Sequence, residues 1–97
     1  MIEVIQSDEF QAWHDGLRDG MARARITARI RLAERGNLGD CKFLRDGVSE
    51  MRIDVGPGYR LYFTRRGNTV VVLLCGGDKR RQDADIEQAI ALAKLWK

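Results

Sequence analysis

From Glu50 to Cys75 the chain reads EMRIDVGPGYRLYFTRRGNTVVVLLC, and this stretch decides the fold. Met51, Ile53 and Val55 alternate with Glu50, Arg52 and Asp54, the period of two that sends one set to each face of a strand. Gly56-Pro57-Gly58 reads as a turn, proline fixing φ and the glycines free to take positive φ. In the next strand Tyr59, Leu61 and Phe63 oppose Arg60, Tyr62 and Thr64. Arg66-Gly67-Asn68 turns the chain again, and Thr69–Cys75 is apolar throughout, as a central strand covered on both faces would be. Gly76-Gly77 is expected to break that strand. Consecutive hairpins imply an antiparallel sheet.

Upstream of these strands the period is helical. Ile2–Ile5 reads as a short strand, and Ser7 stands where a helix N-cap would, with Asp8 and Glu9 in the first turn. Phe10, Trp13 and Leu17 share one helical face, and Gly16 and Gly20 end that helix near Asp19. From Met21 to Arg35 a second helix buries Ala22, Ile26, Ile30 and Ala33 and carries Arg23, Arg25, Arg29, Arg31 and Arg35 elsewhere, with Gly36-Asn37 as its stop. The short link predicts a helical hairpin. Downstream, a last helix opens at Asp83 or Asp85 with Ile86, Ala89, Ile90, Ala93 and Trp96 on one stripe. The order β-α-α-(β)-β-β-β-α is an α+β fold.

The chain has 97 residues, 44% of them hydrophobic, which is enough for one core and one domain over residues 1–97. Its net charge of +3 is unevenly spread. Residues 1–50 hold eight Lys/Arg against nine Asp/Glu, while residues 51–97 hold nine against five. The cationic excess of the second half suggests a polyanionic partner there. The longest apolar run, Val70–Cys75, is far short of the ~20 residues that a membrane span needs, and the N-terminus lacks the features of a signal peptide. A cytoplasmic protein without metal or cofactor is the expectation. Cys41 and Cys75 make no metal-ligand pattern, and Cys75, at the end of an apolar run, reads as a small buried residue.

The strand pair sets up one constellation. Arg52 and Arg60 fall on the polar faces of neighbouring strands, Tyr62 shares the face of Arg60, and Lys79 follows the central strand. Guanidinium forks match phosphate oxygens, and a ring can stack on an exposed base, so the group suits single-stranded RNA. With one histidine, His14, on the first helix, a nuclease built on two imidazoles is excluded. Arginine does not give up its proton, so acid–base work would fall to Lys79, Tyr62 or a carboxylate such as Glu50, Asp54 or Asp78. The arginines of the second helix read as a solvated face, or as a surface for ribosomal RNA.

Gly47–Phe63, GVSEMRIDVGPGYRLYF, and Val70–Ala89, VVVLLCGGDKRRQDADIEQA, together resemble the HigB-like addiction-module killer proteins of the RelE/ParE superfamily. The tryptophan-bearing first helix, Ala24-Arg25-Ile26 with Arg29-Ile30, and the Gly36-Asn37-Leu38-Gly39-Asp40 loop extend the resemblance over nearly the whole chain. It implies an N-terminal strand and a two-helix hairpin packed on a twisted antiparallel sheet, with a C-terminal helix. It also implies a toxin silenced by a small helix-turn-helix antitoxin. Many superfamily members cut mRNA on the ribosome, using Arg and Lys where other nucleases use His. By motif this role falls to Arg52, Arg60 and Lys79 with Tyr62, and Lys42, Arg45, Arg80 and Arg81 would extend the substrate-binding surface. ParE-type relatives instead poison DNA gyrase, which is the alternative. Arg80 and Arg81 replace the small hydroxyl residues usual in the family, adding charge and removing a helix cap.

Overall fold

The structure, a computed structural model, describes residues 1–96. In chain order its elements are β1 (Glu3–Gln6), α1 (Asp8–Asp15), α2 (Gly20–Glu34), β2 (Cys41–Arg45), β3 (Val48–Ile53), β4 (Tyr59–Arg66), β5 (Val70–Asp78) and α3 (Gln82–Leu95), with a 3-10 turn at Lys79–Arg81. The fold is α+β, and the five strands form one sheet in the order β1-β5-β4-β3-β2.

Both hairpins expected from the turns are present, with Arg52 opposite Arg60 in the β3–β4 ladder. The sheet is nevertheless mixed, not antiparallel, because β1 pairs with β5 in parallel, Glu3 beside Val70 through Gln6 beside Leu73. Local turns specify only consecutive pairings. Three reversals after β2 bring β5 back to the edge where the chain began, running the same way as β1.

Helices cover both faces. Phe10 of α1 and Ala22, Ile26, Ile30 and Ala33 of α2 pack with Met51, Ile53, Leu61, Phe63, Val71 and Leu73 in one core. Ala89 and Ile90 of α3 close the other face over Val48, Tyr62, Val72, Leu74 and Cys75, with Ile86, Ala93 and Trp96 partly buried beside them. The four apolar positions read for α2 are its four buried residues. The first helix ends earlier than expected, at Asp15, yet Leu17 still packs on the core from the following link. Ser7 caps α1 by accepting from the Phe10 N–H at 3.0 Å, and Asp19 caps α2 by accepting from the Met21 and Ala22 N–H groups.

The central strand does not break at Gly76-Gly77 but runs through them to Asp78. Leu61 pairs with Gly76 and Arg60 with Gly77, just past a bulge. Tyr62 pairs with Cys75 and Phe63 with Leu73, leaving Leu74 as an extra residue on β5. Its carbonyl accepts a 2.6 Å hydrogen bond from the buried Ser7 hydroxyl. Beyond the bulge, Gly76 faces the Trp13 ring of α1 and Gly77 faces the Asp85 carboxylate of α3. Two helices thus approach the strand where it has no side chains to hold them off.

Candidate functional site

Arg52, Arg60 and Lys79 line one shallow depression of about 180 Å³ together with Asp40, Asp54 and Gly58. Three parts of the chain meet there. The β3–β4 pairing puts the two arginines side by side, and Lys79 enters from the turn after β5. Gly58, at φ +84°, leaves room for the lysine, since a Cβ there would stand 2.6 Å from Lys79 Cε.

The two guanidinium groups are held differently. Arg52 is engaged by Asp40, Nη2 at 2.8 Å and Nε at 3.2 Å from Oδ1, and this contact raises its pKa further above the ordinary arginine value. Arg60 is mostly buried, its Nη1 donating to the Tyr59 carbonyl at 3.2 Å. Between them lies Glu50, buried, with Oε1 3.7 Å from Arg60 Nε and Oε2 4.0 Å from Arg52 Nε. Among the described residues, Lys79 and Asp54 enter no ion pair.

Tyr62 does not join this surface. Its side chain is fully buried beneath α3, and its hydroxyl has no hydrogen-bond partner among the described residues. Burial, followed by the nearby Asp85 and Glu50 carboxylates, pushes its pKa well above the usual phenol value. The ring expected to stack on a base packs in the core, because α3 covers the face of β4 that the sequence reads as polar.

The outer cations fall into two other places. Lys42 and Arg45 line a separate groove of about 380 Å³ between β2 and α3, where Arg45 pairs with Glu87 and, at 3.4 Å, with Asp46. Arg80 and Arg81 stand with Lys79 at the start of α3. Arg80 is tied to Asp78 at 2.9 Å, a contact that lowers the Asp78 pKa. Asp78 also accepts from the Arg80 N–H, capping the 3-10 turn, whereas α3 itself has no side-chain cap, as the missing hydroxyl residue implies.

Three contributors escaped the sequence reading. Asp40 was only part of a loop motif, although it holds Arg52. Arg29, read as solvated, donates from Nη1 to the Arg52 carbonyl at 2.6 Å and from Nη2 to the Leu38 and Asp40 carbonyls, tying α2 to the rim of the site. Gly39 lies against this guanidinium with a φ of +65°. Glu50 carried a signal, a carboxylate on the same strand face as Arg52, but its burial came from α3 and could not be read locally. His14 stacks on Phe10, with ring centroids 5.9 Å apart, and does not line the depression. Cys41 is exposed, and Cys75 is buried with its thiol pKa pushed up to about 12, first by burial and then by Asp85.

Two guanidinium groups and an ammonium thus meet carboxylates on one rim of a small helix-covered sheet. Residues 8–95 match the family described as Phage derived protein Gp49-like (DUF891), and the chain belongs to that family. An uncharacterized protein of Haemophilus influenzae (strain ATCC 51907 / DSM 11121 / KW20 / Rd) is 45% identical over 93 residues, covering 96% of this chain and 94% of that one. No helix among the described residues is long and apolar enough to cross a membrane.

Proposed function

We propose that this protein is the toxin of a type II toxin–antitoxin pair of RelE/ParE type, a ribosome-dependent endoribonuclease that cuts mRNA and blocks translation. The observation that carries the reading is the meeting of Arg52, Arg60 and Lys79 in one depression. At about 180 Å³ the depression is smaller than the ~300 Å³ lower bound of pockets for drug-sized ligands. It suits a segment of charged backbone lying across it. Membership of a phage-derived family and the HigB-like motifs support the toxin class.

The chemistry follows from the groups present. A ribose 2′-oxygen attacks the adjacent phosphorus, and the bond to the 5′-oxygen of the next nucleotide breaks, giving a 2′,3′-cyclic phosphate and a 5′-hydroxyl end. Negative charge accumulates on the phosphoryl oxygens in the transition state, where two fixed guanidinium forks stabilise it more than they stabilise the ground state. Lys79 supplies a proton to the departing oxygen, and Asp54, a carboxylate on the wall of the same depression that enters no ion pair among the described residues, takes the 2′-hydroxyl proton. A helix-turn-helix antitoxin would silence the protein by covering this surface.

Mapping of RNA ends after induction tests the proposal. Cuts at a fixed position within codons are expected. DNA breaks from stalled gyrase with intact mRNA would instead place the protein with the gyrase poisons.

A further inference from the structure

Glu50 lies at the centre of the cationic group yet does not face solvent. Its side chain is 4% exposed, and three groups converge on its carboxylate. Arg60 Nε stands 3.7 Å from Oε1, Arg52 Nε stands 4.0 Å from Oε2, and Gln82 Nε2, in the first turn of α3, donates to Oε1 at 3.3 Å. Burying a carboxylate is costly unless charges and hydrogen bonds compensate, and the two guanidinium groups and Gln82 supply that compensation. Arg60 Nε is itself buried and, among the described residues, has no hydrogen-bond partner; the Glu50 carboxylate at 3.7 Å is the charge that it faces.

The two arginines are thereby unequal. Asp40 holds Arg52 through Nε and Nη2, whereas Arg60 gives Nη1 to the Tyr59 carbonyl and, among the described residues, Nη2 donates to no protein atom. Glu50 stands behind Arg60, on its Nε side, and the Nη2 edge is left for a ligand in the depression.

We propose that Glu50 is a positioning residue that sets the Arg60 guanidinium against the scissile phosphodiester, with Gln82 fixing the carboxylate in turn. The proposal rests on the RNA-cleavage reading for its catalytic consequence but not for its geometry, and the test separates the two. A supporting group that holds a reacting one within tenths of an ångström changes the rate more than the affinity.

In ¹⁵N-labelled protein, the Arg60 Hε should exchange with water roughly tenfold more slowly than that of the exposed Arg18, and Glu50→Gln should bring the two rates together. In steady-state cleavage of ribosome-bound mRNA, Glu50→Gln should lower kcat by roughly tenfold or more without raising KM. Losing one negative charge beside the site does not weaken the hold on RNA. Arg60 exchange as fast as that of Arg18 in the wild type overturns the proposal, as does a raised KM at unchanged kcat. If Glu50→Gln does not fold, the wild-type rate and Gln82→Ala decide, the latter expected to quicken Arg60 exchange. Slow Arg60 exchange in a protein that cuts no RNA would sustain the role of Glu50 and remove the cleavage reading instead.

Discussion

The six-membered ring of the Trp13 indole occupies the place where Gly76 would carry a side chain, so that α1 rests directly on the backbone of the central strand. Trp13 also meets Tyr59 edge-on, with ring centroids 6.1 Å apart, and Phe10 at 5.7 Å. Gly76→Ala would drive a methyl group into this aromatic cluster. A loss of about 2–3 kcal/mol, seen as a lower urea midpoint, is the expected outcome. An unchanged midpoint would mean that the ring is free to move aside.

Tyr62→Phe should leave stability unchanged or raise it by up to about 1 kcal/mol, because the buried hydroxyl has no partner among the described residues and contributes only its desolvation cost. Growth arrest should persist in the variant, since the ring does not reach the depression. Loss of toxicity in a folded Tyr62→Phe protein would return the hydroxyl to the chemistry.

Much of this arrangement is legible locally. The alternation from Glu50 to Phe63 gives the β3–β4 pairing, and with it the juxtaposition of Arg52 and Arg60. The stripe of Ala22, Ile26, Ile30 and Ala33 gives the buried face of α2. Long-range closure is what the pattern hides. Neither the parallel β1–β5 pair nor the packing of α3 over Tyr62 and Glu50 leaves a periodic trace, because each depends on elements far apart in sequence. The bulge at Leu74 is equally silent, and just past it the strand runs through two glycines that read as a break. Charge pattern misleads for the same reason. Arg29 looks like a solvated cation until the loop carbonyls are placed beside it, and Arg45 like a substrate contact until Glu87 is.

Asp85 provides a pH test. Burial, the largest cause, raises its pKa, with Arg81 opposing and Asp78 reinforcing. The folded state therefore binds the proton more tightly than the unfolded chain, in which an aspartate titrates near ~3.9. Ionised Asp85 weakens the fold above its raised folded pKa, and that penalty disappears as pH falls below the unfolded value. Relative to wild type, Asp85→Asn should be most favourable to stability at neutral pH, and the difference should shrink on acidification to about pH 3. Denaturant curves across that range would refute the assignment if the difference were constant.

Binding of a short single-stranded RNA, followed by fluorescence anisotropy at several salt concentrations, reports the number of phosphate contacts. Three cations should give a slope of log K against log salt of about −2. Lys79→Ala should reduce it to about −1.4, with little effect on stability, because the ammonium forms no ion pair among the described residues. Equal slopes would take Lys79 out of contact with RNA.

RNA cleavage at this depression is measured by counting codon-positioned mRNA 5′ ends after induction of wild type, Lys79→Ala and Arg60→Lys at matched protein levels. Arg60→Lys keeps the positive charge beside Glu50 and loses only the fork, so both variants should fold. Such ends are expected in the wild type, reduced by about 100-fold or more in each variant. Wild-type cutting by both variants, or no cutting by the wild type, would contradict it.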